Sequence, residues 1–197
     1  MADEQNIDDR QLLLRHGGAL LAAAAQAIEF ALKHGRAPKI SVDDVPRELQ
    51  QHRATFVTLT LNNRLRGCVG TLSPRQPLIA DTAANGYAAA FHDPRFPALM
   101  PSENERINLS VTLLGPETEL SFTDEAALLG KRAVFLPQVW KNLSDPADFL
   151  VELKLKAGWT RDHWSPTLKA WRFSALTVRR GKEDASSIEV TEDIDEE

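Results

Sequence analysis

The sequence predicts an α+β protein built on an antiparallel sheet, and three observations carry that prediction. Apolar residues recur at helical spacing over 9–34 and 78–91, whereas β-branched or alternating runs fill 54–61, 64–72, 107–114 and 169–179. The two kinds of segment follow one another without the strand–helix–strand alternation of a parallel sheet. The 197 residues suit one domain, and 43% hydrophobic with 26% charged residues excludes disordered and fibrous classes.

Each element has its own signature. Over 9–34, Leu12, Leu13, Leu20, Leu21, Ile28 and Leu32 form one helical face, Asp8 or Asp9 can cap the start, and Gly35 can end it. Gly17-Gly18 inside this stretch marks a kink or a later start. Arg47–His52 suits a short helical turn. Ala54–Leu61 and Arg64–Leu72 flank Asn62-Asn63, a pair tolerant of positive φ, and read as a β-hairpin. Residues 78–91 form an alanine-rich helix able to sit close on a sheet, stopped by His92-Asp93-Pro94. Ile107–Leu114 alternates like a half-buried strand. Thr123 can cap a short helix, Arg132–Leu136 is a strand candidate, and Ser144 caps a helix with Lys154 and Lys156 in its last turn and Gly158 after it. Residues 169–179 make the last strand. Trp140, Trp159, Trp164 and Trp171 all lie in the last third and indicate a satellite core, or else a ligand or partner patch.

The net charge of −5 hides an uneven distribution. Residues 183–197 carry eight acids and no base, whereas residues 11–182 carry 22 bases and 16 acids. The molecule is therefore a mildly basic body with an acidic tail, and residues 181–197 are expected to be solvated and disordered. No apolar run reaches the roughly 20 residues of a membrane span, and Met1-Ala2-Asp3-Glu4 lacks the basic start of an export signal. Cys68 is the single cysteine, so a cytoplasmic, reducing location is expected. Basic residues are scattered and do not interleave with aromatics, which argues against nucleic-acid binding. No Cys/His spacing resembles a zinc site, and neither a Walker loop nor a dinucleotide fingerprint is present, so no metal or cofactor is expected.

The densest chemical segment is Leu65-Arg66-Gly67-Cys68-Val69-Gly70-Thr71. Strand alternation places Arg66 and Cys68 on one face, where a guanidinium favours the reactive thiolate. Gly67 and Gly70 mark a bulge, or a place where a ligand or another backbone comes close. The competing reading makes Cys68 a small buried hydrophobe and pairs Arg66 with a carboxylate. His92 beside Asp93 suits a helix-end cap better than a triad.

The same segment resembles the hallmark of the AMMECR1 family. The resemblance continues through Phe56–Leu59, Asp93–Pro97, Leu109–Leu113 with Pro116, Phe135–Trp140, Phe149–Gly158 and Trp164-Ser165 with Trp171–Phe173. It implies a two-lobed single domain over residues 10–180, with a larger antiparallel sheet flanked by helices and a smaller α+β lobe. It also implies a cleft site with Cys68 and Arg66 as catalytic residues. Gly67, Val69, Gly70, Thr71, Asp93 and Arg95 are its substrate-binding positions. Family members resemble one component of a three-part modification system, the AmmeMemoRadiSam system, alongside a radical SAM enzyme and a Memo-like protein. The alternative is a non-catalytic module that presents a substrate or docks a partner. One departure stands out: between Gly130 and Lys131, the family pattern has about a dozen residues more, with a turn and a strand.

Overall fold

The computed structural model describes residues 8–120, 146–163, 170–181 and 187–192. The chain divides into two compact units, Met1–Leu114 with Leu176–Glu192 and Gly115–Ala175 with Asp193–Glu197.

The first unit starts with helix α1 (Asp9–His34), which buries Leu12, Leu13, Leu20, Leu21, Ala24 and Ile28. Gly35, at φ 67°, ends it and donates its N–H to the Ala31 carbonyl at 2.8 Å. Asp8 stands at the N-cap without a side-chain capping bond, and the Asp9 carboxylate instead accepts two bonds from Arg53, at 2.8 and 2.6 Å. The helix is continuous through Gly17-Gly18, so the later start does not occur. Packing explains the first glycine, because a Cβ on Gly17 would lie 2.6 Å from Val178 Cγ2.

After the short helix α2 (Arg47–Gln50), β1 (Thr55–Leu61) and β2 (Arg64–Gly70) form the hairpin. Both turn residues take positive φ, 51° at Asn62 and 59° at Asn63, the two-residue turn whose twist matches paired strands. Helix α3 (Leu78–Phe91), helix α4 (Pro101–Asn104), β3 (Ile107–Leu114), β6 (Ala175–Arg180) and β7 (Ile188–Glu192) complete this unit. The strands form one sheet in the order β2-β1-β3-β6-β7, with β1–β2, β1–β3 and β6–β7 antiparallel. Helices α1 and α3 pack on the sheet face that carries Val57, Leu59, Val111, Leu113 and Val178, and these residues make one continuous core with the helical leucines. α+β architecture is thus established.

Strand β7 corrects one expectation. Residues 188–192 lie within the acidic stretch expected to be solvated, yet they pair with β6 from Leu176↔Glu192 to Arg180↔Ile188. Their Ile-Glu-Val-Thr-Glu alternation is the physical reason: Ile188 and Val190 pack against the core, and Glu189 reaches Arg179 at 2.8 Å. Local alternation outweighs the net charge of the segment.

In the second unit, β4 (Thr118–Leu120) pairs antiparallel with β5 (Ala170–Arg172) as a separate two-stranded sheet. The single strand expected over 169–179 is therefore two strands, β5 and β6, in two sheets. Between them the Ser174 carbonyl accepts the Gly115 N–H at 2.8 Å. Helix α5 (Pro146–Lys156) ends as expected, with Gly158 at φ 79° and the Trp159 N–H returning to the Lys154 carbonyl at 3.0 Å. Trp171 is 48% exposed and is not a core residue, whereas Trp159 is half-buried and packs its ring 4.7 Å from that of His163. The expected cap at Thr123, the strand over 132–136, the Ser144 cap, Trp140, Trp164 and the departure at Gly130–Lys131 lie outside the described residues. Among the described residues, no helix is long and apolar enough to cross a membrane.

Candidate functional site

The segment Leu65–Thr71 lies on β2, at one margin of the large sheet. Its register on β1 runs regularly from Phe56↔Gly70 to Leu59↔Gly67, then jumps to Thr60↔Leu65. Arg66 is therefore the extra residue of a β-bulge. Simple alternation does not hold across a bulge, so the shared face expected for Arg66 and Cys68 does not follow. The bulge directs Arg66 to α4, where its Nε and Nη2 donate to Glu103 Oε1 and Oε2 at 2.8 and 2.9 Å. Nη2 also approaches the Ala98 carbonyl at 3.4 Å. The pair is nearly closed to solvent, with side-chain exposures of 10% and 12%. Glu103's hydrogen bonds raise the Arg66 pKa against the opposing effect of burial, and Arg66 in turn lowers that of Glu103, helped by the Met100 N–H. The buried Arg66 Nη1 finds no hydrogen-bond partner among the described residues. The carboxylate-paired reading of Arg66 thus describes its contacts.

The two glycines serve packing. A Cβ on Gly67 would lie 2.1 Å from the Ala89 carbonyl oxygen, because α3 crosses β2 there at backbone distance. A Cβ on Gly70 would meet the Phe56 ring at 2.3 Å and the Thr55 carbonyl at 2.5 Å. Another backbone, rather than a ligand, makes the close approach at Gly67. Val69 packs against the core. The Thr71 hydroxyl donates to the buried Asp81 carboxylate at 2.7 Å, which also collects the Thr55 N–H and hydroxyl and an Asn85 amide proton. That cluster pins α3 to the hairpin without a cation.

Cys68 is held differently. Its N–H donates to Asp93 Oδ2 at 2.8 Å, and its carbonyl accepts from Arg95 Nη2 at 3.1 Å. Asp93 and Arg95 also bind each other, through Nε–Oδ1 at 2.9 Å and Nη2–Oδ2 at 2.7 Å. The pair satisfies the outward-facing amide and carbonyl of Cys68 as a neighbouring strand would, which protects the sheet margin. Asp93 is 4% exposed, and its carboxyl is held well below the usual carboxylate range, chiefly by Arg95 and then by the Cys68 and Arg95 N–H groups, against the effect of burial. Arg95 is raised first by Asp93, with burial opposing, and further by the Cys68 side chain. The cation bonded to the Cys68 main chain is Arg95, two residues after Asp93, whereas Arg66 is bonded to Glu103.

The thiol is half-buried, with its Sγ 3.2 Å from the Thr58 hydroxyl on the facing strand. His92 ends α3 as a C-cap, and its Nε2 lies 3.0 Å from the Tyr87 hydroxyl. The structure thus gathers Cys68, Asp93 and Arg95 into one constellation. Arg66 sits in a neighbouring ion pair, and Gly67, Val69, Gly70 and Thr71 serve the scaffold. Thr58 and Glu103 are the residues that sequence reasoning missed. Glu103 carries a signal of its own, standing at the third position of the helix begun by Pro101, where a carboxylate caps the preceding N–H. Among the described residues, no cluster of three or more His, Cys, Asp or Glu could hold a metal ion.

Comparison with known proteins bears on the family and the fold. A family model described as AMMECR1 matches residues 21–178. A protein of Methanothermobacter thermautotrophicus is 33% identical over 176 residues, covering 81% of this chain and 91% of its own. A protein of Thermococcus kodakarensis is 32% identical over 184 residues, covering 81% and 87%. The crystal structure of an uncharacterized protein from Pyrococcus horikoshii superposes with a TM-score of 0.79 at 27% identity, over 90% of this chain and 97% of that one.

Proposed function

The chain belongs to the AMMECR1 family, and on that footing we propose that it is one component of a modification system, working with a radical SAM enzyme and a Memo-like protein in the cytoplasm and contributing Cys68 as its reacting group. The observation that carries the proposal is the way Cys68 is mounted. Its backbone is clamped on both polar groups by Asp93 and Arg95, while the residue is only half-buried and its thiol is free of any disulfide. A fixed backbone holds a reacting atom in place, as a catalytic constellation requires.

The Thr58 hydroxyl lies 3.2 Å from the thiol and the Arg95 guanidinium bonds the Cys68 carbonyl, and neither side chain is a general base at neutral pH. A thiol with no base beside it among the described residues suits a partial site, completed by a substrate or a partner protein. That incompleteness supports a component over a self-sufficient enzyme. The substrate-binding role falls to Arg95, whose side chain is 53% exposed beside the thiol, with its own carboxylate partner buried behind it.

A second reading, a non-catalytic docking module, is favoured by one specific observation: Arg66, the expected activator, is held by Glu103. The experiment is co-purification of the tagged chain with the radical SAM and Memo-like proteins of the same cell, from wild type and from Cys68→Ala. Recovery of both partners supports a component of that system. Absence of both, together with turnover by the isolated chain, contradicts it.

A further inference from the structure

Two of the exposed large hydrophobic side chains, Leu65 at 44% and Met100 at 57%, border the Arg66–Glu103 pair. Leu65 precedes Arg66 on β2, and Met100 donates its N–H to the Glu103 carboxylate at 2.8 Å. The half-buried Phe96 has its ring 6.0 Å from the Arg66 guanidinium carbon and 5.6 Å from that of Arg95. The stretch from Arg95 to Glu103 is thus wrapped around the tip of Arg66 and tied to β2 at both ends, by Arg95 to the Cys68 carbonyl and by Glu103 to Arg66. Leu65 and Met100 thus stand exposed on a firmly anchored frame beside Phe96 and Arg95, and methionine, aromatic residues and arginine are what interface centres favour.

The surrounding exposed charge is mostly positive. Arg64 and Arg106 are exposed, and Arg95 presents its guanidinium outward while Asp93 sits behind it at 2% side-chain exposure. Glu103 is covered by Arg66, which leaves Glu105 as the exposed acid of these two segments among the described residues.

We propose that this surface, made by the margin of β2 and the Arg95–Glu103 stretch, docks an acidic and apolar segment of a partner protein, with its apolar side chains on Leu65, Phe96 and Met100 and its carboxylates on Arg64, Arg95 and Arg106. The docking surface adjoins the Cys68 clamp, so the partner's segment delivers its attached group beside the thiol. In this respect the inference rests on the functional reading above and gives the partner a chemistry. Charge complementarity selects an acidic segment over a basic one, and the apolar centre separates it from a purely acidic chain such as residues 183–197.

The test uses the full chain and three fluorescent twelve-residue probes, read by anisotropy in low and in physiological salt. The first probe alternates Glu with Leu and Phe, the second has Lys for Glu, and the third has Ser for Leu and Phe. The first is expected to bind about tenfold more tightly than either of the others. Leu65→Ser with Met100→Ser, both changes at exposed side chains, is expected to weaken it about tenfold. Arg64→Gln with Arg106→Gln is expected to weaken it and to flatten its salt dependence. Equal binding of the Glu and Lys probes overturns the proposal, and so does an unaltered affinity in either double variant. Binding of a peptide of residues 183–197 as tight as that of the first probe makes the chain's own tail the occupant and overturns it as well. Uptake by phosphatidylserine vesicles lost in Leu65→Ser/Met100→Ser, with no binding of the first probe, assigns the surface to a membrane instead. Cys68→Ala is expected to bind the first probe like wild type, so a failed docking surface and a failed thiol reading give separate results.

Discussion

Asp93 Oδ2 accepts the backbone N–H of Cys68 at 2.8 Å, and the same carboxylate holds the Arg95 guanidinium that returns to the Cys68 carbonyl. One buried acid thereby fixes the main chain of the single cysteine from outside the sheet. Asp93→Asn removes the charge that binds Arg95 and turns one acceptor into a donor. It is expected to destabilise the protein by about 2–3 kcal/mol at pH 7 in urea denaturation.

The same contact makes that difference pH-dependent. The pKa of Asp93 in the folded protein lies below its unfolded value. Its stabilisation is fully present above the ordinary carboxylate value of about 3.9 and is lost as pH falls from there towards the folded value. The stability gap between wild type and Asp93→Asn should therefore narrow between pH 5 and pH 3. A gap that stays constant over that window contradicts the ion-paired carboxylate.

Arg66 and Glu103 form a nearly solvent-free pair, so each depends on the other. Arg66→Met strands a buried carboxylate and Glu103→Leu strands a buried guanidinium, each at an expected loss of about 3–5 kcal/mol. Replacing both, Arg66→Met with Glu103→Leu, should restore most of that stability. Urea denaturation of the three variants gives the coupling, and additive losses would show that the two residues act separately.

Gly67→Ala places a methyl group against the Ala89 carbonyl, where no flexible side chain can give way. The expected cost is about 2–3 kcal/mol, seen as a lower Tm. An unchanged Tm means that α3 does not cross β2 at backbone distance.

Removing residues 182–197 deletes β7 with Ile188 and Val190, both half-buried against the core. Loss of about 2 kcal/mol is expected from the apolar burial alone. A merely solvated acidic tail could be cut without cost, so thermal denaturation of the truncated chain separates the two cases.

The parts of the fold that are legible in sequence are those set by local pattern. The twenty-six residues of α1 show their buried leucines at helical spacing, and Asn62-Asn63 announces the positive φ of the hairpin turn. Ile107–Leu114 alternates visibly and becomes β3 with those bounds. What stays hidden depends on partners distant in sequence. The glycines of Leu65–Thr71 point to a bulge as one of their readings, but that Arg66 is the extra residue follows only from how β2 registers on β1. The split of 169–179 follows from pairing of β5 with β4, about fifty residues away. In the site, the Asp93-Pro94-Arg95 motif is visible, but its clamp on the Cys68 backbone is not. Sequence also attaches Arg66 to Cys68 by proximity, whereas the folded chain gives Arg66 to Glu103 and brings Arg95 to the Cys68 carbonyl.

The most direct measurement is turnover of S-adenosylmethionine by the proposed trio, reconstituted from this chain and a radical SAM enzyme and a Memo-like protein of the same cell, with wild-type chain and with Cys68→Ala. If Cys68 is the reacting group, Cys68→Ala lowers substrate-dependent turnover at least about a hundredfold, some 2.7 kcal/mol of lost transition-state stabilisation, while the trio still assembles. Unchanged turnover with Cys68→Ala contradicts a reacting thiol and leaves the docking module.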